Sequence, residues 1–229
     1  MCGRFTLTVN PADLKDAFGD FAFPGQFAPR YNIAPTQPVL AIPNDATLAG
    51  GARENRADFF LWGLIPSWAK DPAIASKLIN ARGETIAEKP SFRGSFKYKR
   101  CLILADGFYE WKSTEGVKTK TPYFIHMKDR KPFAFAGLWN EWHSPDGGTL
   151  RTCTIITTSP NELMSTLHSR MPVILDRADY ADWLDAAPRT PDSLLPLIKP
   201  FPADRMSAHP VSTMVNVPGN DRPECVLPA

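Results

Sequence analysis

Polar and apolar side chains alternate from Arg4 to Val9, and the β-branched residues among them fit a strand. Asn10 then stands as a helix N-cap, with Pro11 at the first helical position and Gly19 as the stop; Leu14, Ala17 and Phe18 form the apolar stripe. Residues 20–30 read as a Phe/Pro/Gly loop. Further strands are expected over 39–42, 57–61, 101–104, 108–112, 122–128, 133–139 and 150–158, and a hairpin loop around Gly50-Gly51 over 44–56. Ser159 and Pro160 open a short helix, and Asp176 caps a second one with Tyr180, Trp183 and Leu184 as its stripe. Residues 186–205 are Pro-rich connections. Many short strands with helices at the margins predict an α+β fold around a largely antiparallel, barrel-like sheet.

Composition narrows this picture. The 229 residues suffice for one core, so the chain is expected to be a single domain over 1–229, with about 217–229 as a C-terminal tail. The 23 prolines fit a chain of extended segments and pinned loops. With 26 basic against 24 acidic residues the chain is not basic overall, which still leaves room for a local basic groove of the kind that holds single strands. One stretch is basic without relief: Lys89, Arg93, Lys97, Lys99 and Arg100, interleaved with Phe92, Phe96 and Tyr98. It predicts a helix laid across the body with its basic side outward. Cys2, Cys101, Cys153 and Cys225 form no CxxC pair, so neither a zinc site nor a disulfide framework is expected. The first twenty residues hold no long apolar run, so neither a signal peptide nor a membrane span is expected, and a reducing cytoplasm fits best. Gly-rich phosphate loops are absent, which removes support for nucleoside triphosphate chemistry.

Three features carry candidate chemistry. Loss of Met1 leaves Cys2 with an α-amine and a thiol on adjacent carbons, a pair that condenses with an aldehyde to an imine and then closes a thiazolidine ring. Glu110 sits inside an aromatic strand whose alternation puts Phe108, Glu110 and Lys112 on one face and Tyr109 and Trp111 on the other. A carboxylate so placed either pairs with a cation or is tuned for proton transfer. Trp62 and Trp68 flank a Gly/Pro turn, which reads either as core or as a stacking surface. Lone histidines such as His126 and His143 read as structural.

The blocks MCGRF, RYNIAPT, WGLIPSW, INARGET, CLILADGFYEW, LHSRMPVIL and HPVS, in this order, resemble those of the SOS response-associated peptidase (SRAP) family, which senses abasic sites in single-stranded DNA. The resemblance runs from Cys2 to about Asn216. It implies a covalent crosslink from Cys2 to the lesion, with Asn80, Glu110 and His168 as the other catalytic residues, and self-removal of Met1. It implies Arg4, Arg82 and Arg170 as contacts to the DNA backbone, and Trp68 and Trp111 as aromatic contacts in the groove. The expected partner is single-stranded DNA containing abasic sites, at the nucleoid where DNA is replicated. No cofactor, metal or membrane is implied, and a monomer suffices. Two other readings compete: an N-terminal-nucleophile amidotransferase, whose Arg-Gly-Pro-Asp stretch is missing here, and a non-catalytic single-strand binding module.

Overall fold

The computed structural model describes residues 2–19, 21–45, 56–116 and 118–229. Most of the hairpin loop expected over 44–56 therefore lies outside the described residues.

The chain opens with strand β1 (Phe5–Leu7), all three residues buried. Its far end is fixed by Asp106, whose carboxylate accepts from the Thr6 hydroxyl, from Thr8 N and Oγ1 (2.6 and 2.5 Å) and from Val9 N (3.2 Å). Helix α1 (Pro11–Phe18) follows with the expected cap: the Asn10 side chain accepts from Ala12 N and Asp13 N, and Asp13 returns a bond to Asn10 N. Strands β2 (Arg30–Ile33), β3 (Pro38–Pro43), β4 (Asp58–Trp62) and β5 (Asn80–Arg82) come next. After α2 (Arg93–Tyr98) run β6 (Arg100–Ala105), β7 (Gly107–Lys112), β8 (Thr121–Met127), β9 (Phe133–His143) and β10 (Thr149–Thr158). The short α3 (Glu162–Ser165), β11 (Met171–Pro172), β12 (Ile174–Leu175), α4 (Tyr180–Trp183), α5 (Pro191–Leu194) and β13 (Met206–Pro210) complete the fold.

β10, β4, β3, β6 and β9 are neighbours in that order, and β9 pairs back onto β10, so five strands close a barrel without free edges. All of these pairs are antiparallel except β4 with β10, which explains the alternating and the continuous apolar runs in one sheet. A second, open sheet has the order β13-β8-β7-β1-β2. The two sheets meet through aromatic edges: Phe5 lies 5.0 Å from Trp62 and 5.7 Å from Phe135, and Phe108 lies 5.9 Å from Phe135. The chain head thus sits between the sheets as part of the core.

Several expectations are corrected. Arg30, the last residue of the expected loop, opens a strand with Tyr31, Asn32 and Ile33, β2, whose short polar sequence hides the period of two. α3 is capped by Asn161, whose side chain accepts from Met164 N, rather than by Ser159. Asp176 does not cap with its side chain; its carboxylate pairs with Arg205. In the basic stretch, Phe92 and Phe96 are buried beneath α2 as expected, but Arg100 turns inward and is fully buried. Residues 217–229, read as a tail, pack along β2: Asp221 pairs with Arg30, Cys225 is buried, and Val211 bridges to Pro228. All four cysteines are free thiols. Among the described residues, no helix is long and apolar enough to cross a membrane, and no group of three or more His, Cys, Asp or Glu side chains is arranged to hold a metal ion.

Candidate functional site

Cys2 lies three residues ahead of Phe5, where β1 runs antiparallel to β7 with Phe5 opposite Phe108 and Tyr109 N–H donating to Arg4 O at 3.0 Å. Continuing that register two residues sets Gly3 opposite Glu110. The thiol is fully buried, 3.8 Å from Arg4 O. Asn80 reaches it from the other sheet. β5 is held parallel on β10, with Asn80 opposite Ile155, and its Nδ2 donates to Cys2 O at 2.8 Å. Asn80 Oδ1 is buried without a hydrogen-bond partner among the described residues, an acceptor left for a group that joins the site. Burial pushes the Cys2 thiol up from its ordinary value, and the Glu110 charge pushes it in the same direction. The thiol is therefore protonated at neutral pH, which protects it from oxidation.

The end of β10 gathers the other candidates. It pairs Thr157 with Arg82 and Thr158 with Met171, so the strand that seats Asn80 also seats Arg82 and the segment carrying His168 and Arg170. Arg170 forks onto Glu84 with two bonds of 2.9 Å and donates to Thr157 O at 2.8 Å. The Arg170 bond holds the Glu84 carboxyl below its ordinary range. His168 stands after α3, with its N–H on Met164 O (2.8 Å). Arg170 N–H lies 3.1 Å and Arg170 O 3.3 Å from His168 Nδ1, so the backbone of Arg170 holds the ring through that nitrogen. Gly83, beside Arg82, admits no side chain: a Cβ would lie 2.4 Å from Ile198 Cγ2 and 3.3 Å from Thr157 O.

Arg4 and the tryptophans need separate description. The Arg4 guanidinium faces the chain's own C-terminal segment, with NH1 on Asn32 Oδ1 (2.8 Å) and Val215 O (2.6 Å) and NH2 on Asn216 O (3.2 Å). Trp111 Nε1 donates to Asn216 Oδ1 at 2.7 Å. Of the two tryptophans around the Gly/Pro turn, Trp62 is core, with Nε1 on Ile79 O at 2.9 Å, whereas Trp68 is 59% exposed. Trp68 lines a cavity of about 230 Å³ with Tyr98, Lys99 and Ser95. Of the two readings of the tryptophan pair, Trp62 takes the core one and Trp68 the exposed one, and Tyr98, interleaved in the basic stretch, is half exposed. A larger cavity of about 770 Å³, lined by Phe18, Lys128, Arg177, Tyr180 and Phe201, contains none of the candidate residues. Cys2 and Glu110 are buried between the two sheets, while Arg82 and Trp68 are exposed.

Glu84, Asn32 and Asn216 were not singled out from the sequence. Glu84 lies inside the INARGET block, and its position two residues after Arg82 was the available signal. An anionic backbone that approaches Arg170 meets Glu84 there. Glu84→Gln is expected to tighten binding of undamaged single-stranded DNA about two- to fivefold, the scale of one exposed charge, with a steeper dependence on salt. A salt titration of affinity for the two proteins checks this; equal affinities at low salt would contradict it.

The chain is similar to known proteins over its whole length. The family model described as SOS response associated peptidase (SRAP) matches residues 1–218. The chain is 49% identical over 228 residues to the abasic site processing protein YoqW of Bacillus subtilis, covering 99% of each. It is 35% identical over 265 aligned residues to the abasic site processing protein HMCES of Gallus gallus, covering all of this chain and 78% of that one. A crystal structure of a Bacteroides thetaiotaomicron protein superposes with a TM-score of 0.83 at 26% identity, covering 100% of both chains.

Proposed function

Because the chain belongs to the SOS response associated peptidase (SRAP) family, we propose that it processes abasic sites in single-stranded DNA by forming a covalent adduct through Cys2. The observation that carries this reading is the convergence of Asn80 and Glu110, from two different sheets, on a cysteine at the head of the chain. Removal of Met1, by the site itself or by an aminopeptidase, supplies the free α-amine.

An abasic deoxyribose is mostly a closed hemiacetal. His168, held through Nδ1 by the Arg170 backbone, acts as the acid–base group that opens it to the C1′ aldehyde. The Cys2 amine, whose reference pKa of about 7.7–8.0 leaves it partly neutral at pH 7, adds to the aldehyde carbon. Glu110 takes and returns the protons as the carbinolamine loses one water to give the imine. The thiol then adds across the C=N bond: sulfur bonds to carbon, and the thiol proton ends on nitrogen. Since the thiol is buried, Glu110, whose charge acts on it, also relays that proton. The Asn80 amide orients Cys2 through its carbonyl and keeps Oδ1 for the amine or the sugar. The closed ring removes the imine that β-elimination needs, so the product is a shielded lesion instead of a cut strand. Arg82 and Arg170 hold backbone phosphates, with a log–log salt slope of about −0.7 for each phosphate neutralised. Trp68 and Trp111 supply stacking faces for flanking bases.

The test is a denaturing gel of the protein with single-stranded DNA carrying one abasic site. A retarded band that survives denaturation without borohydride is expected, and it should form more slowly with His168→Ala. No such band from protein shown to lack Met1 would refute covalent capture and leave a non-catalytic single-strand binder. Equal rates for His168→Ala would remove His168 from the mechanism.

A further inference from the structure

Residues 212–226 form a strap along the free edge of β2. Asp221 Oδ1 accepts from Tyr31 N (2.5 Å) and Asn32 N (3.0 Å), which covers edge groups that would otherwise face solvent. Asn32, in the RYNIAPT block, is fully buried beneath the strap and uses its whole amide there. Its Nδ2 donates to the carbonyls of Val215 (3.1 Å), Val217 (3.1 Å) and Asn220 (2.9 Å), and its Oδ1 accepts from Arg4 NH1 (2.8 Å). Arg4 itself grips Val215 O and Asn216 O on the same strap. The backbone of Arg4 carries Cys2 two residues upstream, and its carbonyl holds both Tyr109 N–H and the Cys2 thiol. The side chain of Asn216 in turn holds the Trp111 indole.

We propose that Asn32 is a positioning residue for the crosslinking reaction: its single buried amide locks the strap, and through the strap and Arg4 it fixes both the head of β1 that presents Cys2 and the indole of Trp111. The proposal rests on the crosslinking reading above. Only an amide serves at this position. A carboxylate would face three carbonyl oxygens, and an aliphatic side chain would leave those oxygens and the Arg4 guanidinium without partners. The reaction needs the Cys2 amine and then its thiol to reach one carbon in turn, so a small displacement of the strand head slows both steps.

The test compares wild type with Asn32→Asp and Asp221→Asn. The readouts are the first-order crosslinking rate at saturating abasic single-stranded DNA, measured well below each protein's thermal midpoint, and the affinity for the same strand with intact sugars. Asn32→Asp is expected to slow the saturated rate by about 10- to 100-fold, with a smaller loss of intact-strand affinity from the loosened Trp111 stacking face. Asp221→Asn keeps an oxygen acceptor for the β2 edge but loses its charge against Arg30, so it folds and shows a smaller drop in the same rate. If Asn32→Asp does not fold, Asp221→Asn decides alone. A role confined to stability would lower the thermal midpoint and leave the saturated rate per folded molecule unchanged, and that result overturns the proposal. A wild type that forms no crosslink overturns the crosslinking reading itself.

Discussion

Arg100→Met is expected to lower the thermal midpoint by about 6–20 °C. Arg100 is 0% exposed, and the Asp185 charge acts on it without a salt bridge among the described residues. It donates instead to backbone carbonyls: Trp183 O (2.8 Å), Phe96 O (3.1 Å), Lys97 O (2.7 Å), Asp185 O and Ala187 O (3.5 Å). These oxygens end α2, end α4 and form the turn that follows, so one planar cation closes two helix C-termini. Burial holds its pKa down, to about 10, and it remains charged at neutral pH. Methionine fills much of the volume but leaves several buried carbonyls without donors, a loss of about 3–5 kcal/mol. For a chain of this size that is about 6–20 °C in the midpoint. Arg100→Lys should fall between, since an ammonium cannot span the same set of oxygens. A thermal melt of the three proteins checks this; a methionine variant within about 1 °C of wild type, a small fraction of that loss, would contradict it.

The reason Arg100 was misread shows where sequence stops being informative. In the sequence it closes a run of five basic residues, and only the start of β6 turns it away from the others: Arg100 pairs with Leu138 inside the barrel wall. The strand period was clear wherever one face is buried, as in β7, where Phe108 joins the main core and Tyr109 and Trp111 join a separate cluster on the other face. It was hidden in β2, where Arg30, Tyr31 and Asn32 are held by the strap, a contact made 180 or more residues later in the chain. The cap of α1 was legible because Asn10, Pro11 and Asp13 are adjacent in sequence; the cap of α3 was misplaced by two residues because Ser159 and Asn161 can both act. For the site, residue types and blocks pointed to Cys2, Asn80 and Glu110. That Asn80 bonds the Cys2 carbonyl, that Arg4 faces the strap and that Glu84 occupies Arg170 are long-range facts no local spacing encodes.

Cys2→Ser is expected to abolish the denaturation-resistant adduct, by on the order of 10²-fold or more, because the hydroxyl closes the ring far less readily than the thiol. The serine variant keeps the α-amine, the Asn80 bond to the residue-2 carbonyl and nearly the same volume, so the fold and intact-strand affinity should persist. It should still form the imine. Borohydride added during incubation is therefore expected to restore a covalent band to Cys2→Ser, while wild type needs no reductant. Because imine without ring closure permits β-elimination, the serine variant should also release more cleaved strand. Equal borohydride-independent adduct from both proteins would show that the thiol takes no part in the bond.

The central claim, that both nucleophiles of Cys2 end on one carbon of the lesion, is tested most directly by alkylating the purified adduct under denaturing conditions and weighing it. A thiazolidine predicts a mass equal to protein without Met1 plus DNA minus one water, with only Cys101, Cys153 and Cys225 taking up alkylating agent. Uptake at Cys2 as well, with the same adduct mass, would mean an imine with a free thiol and would contradict the account.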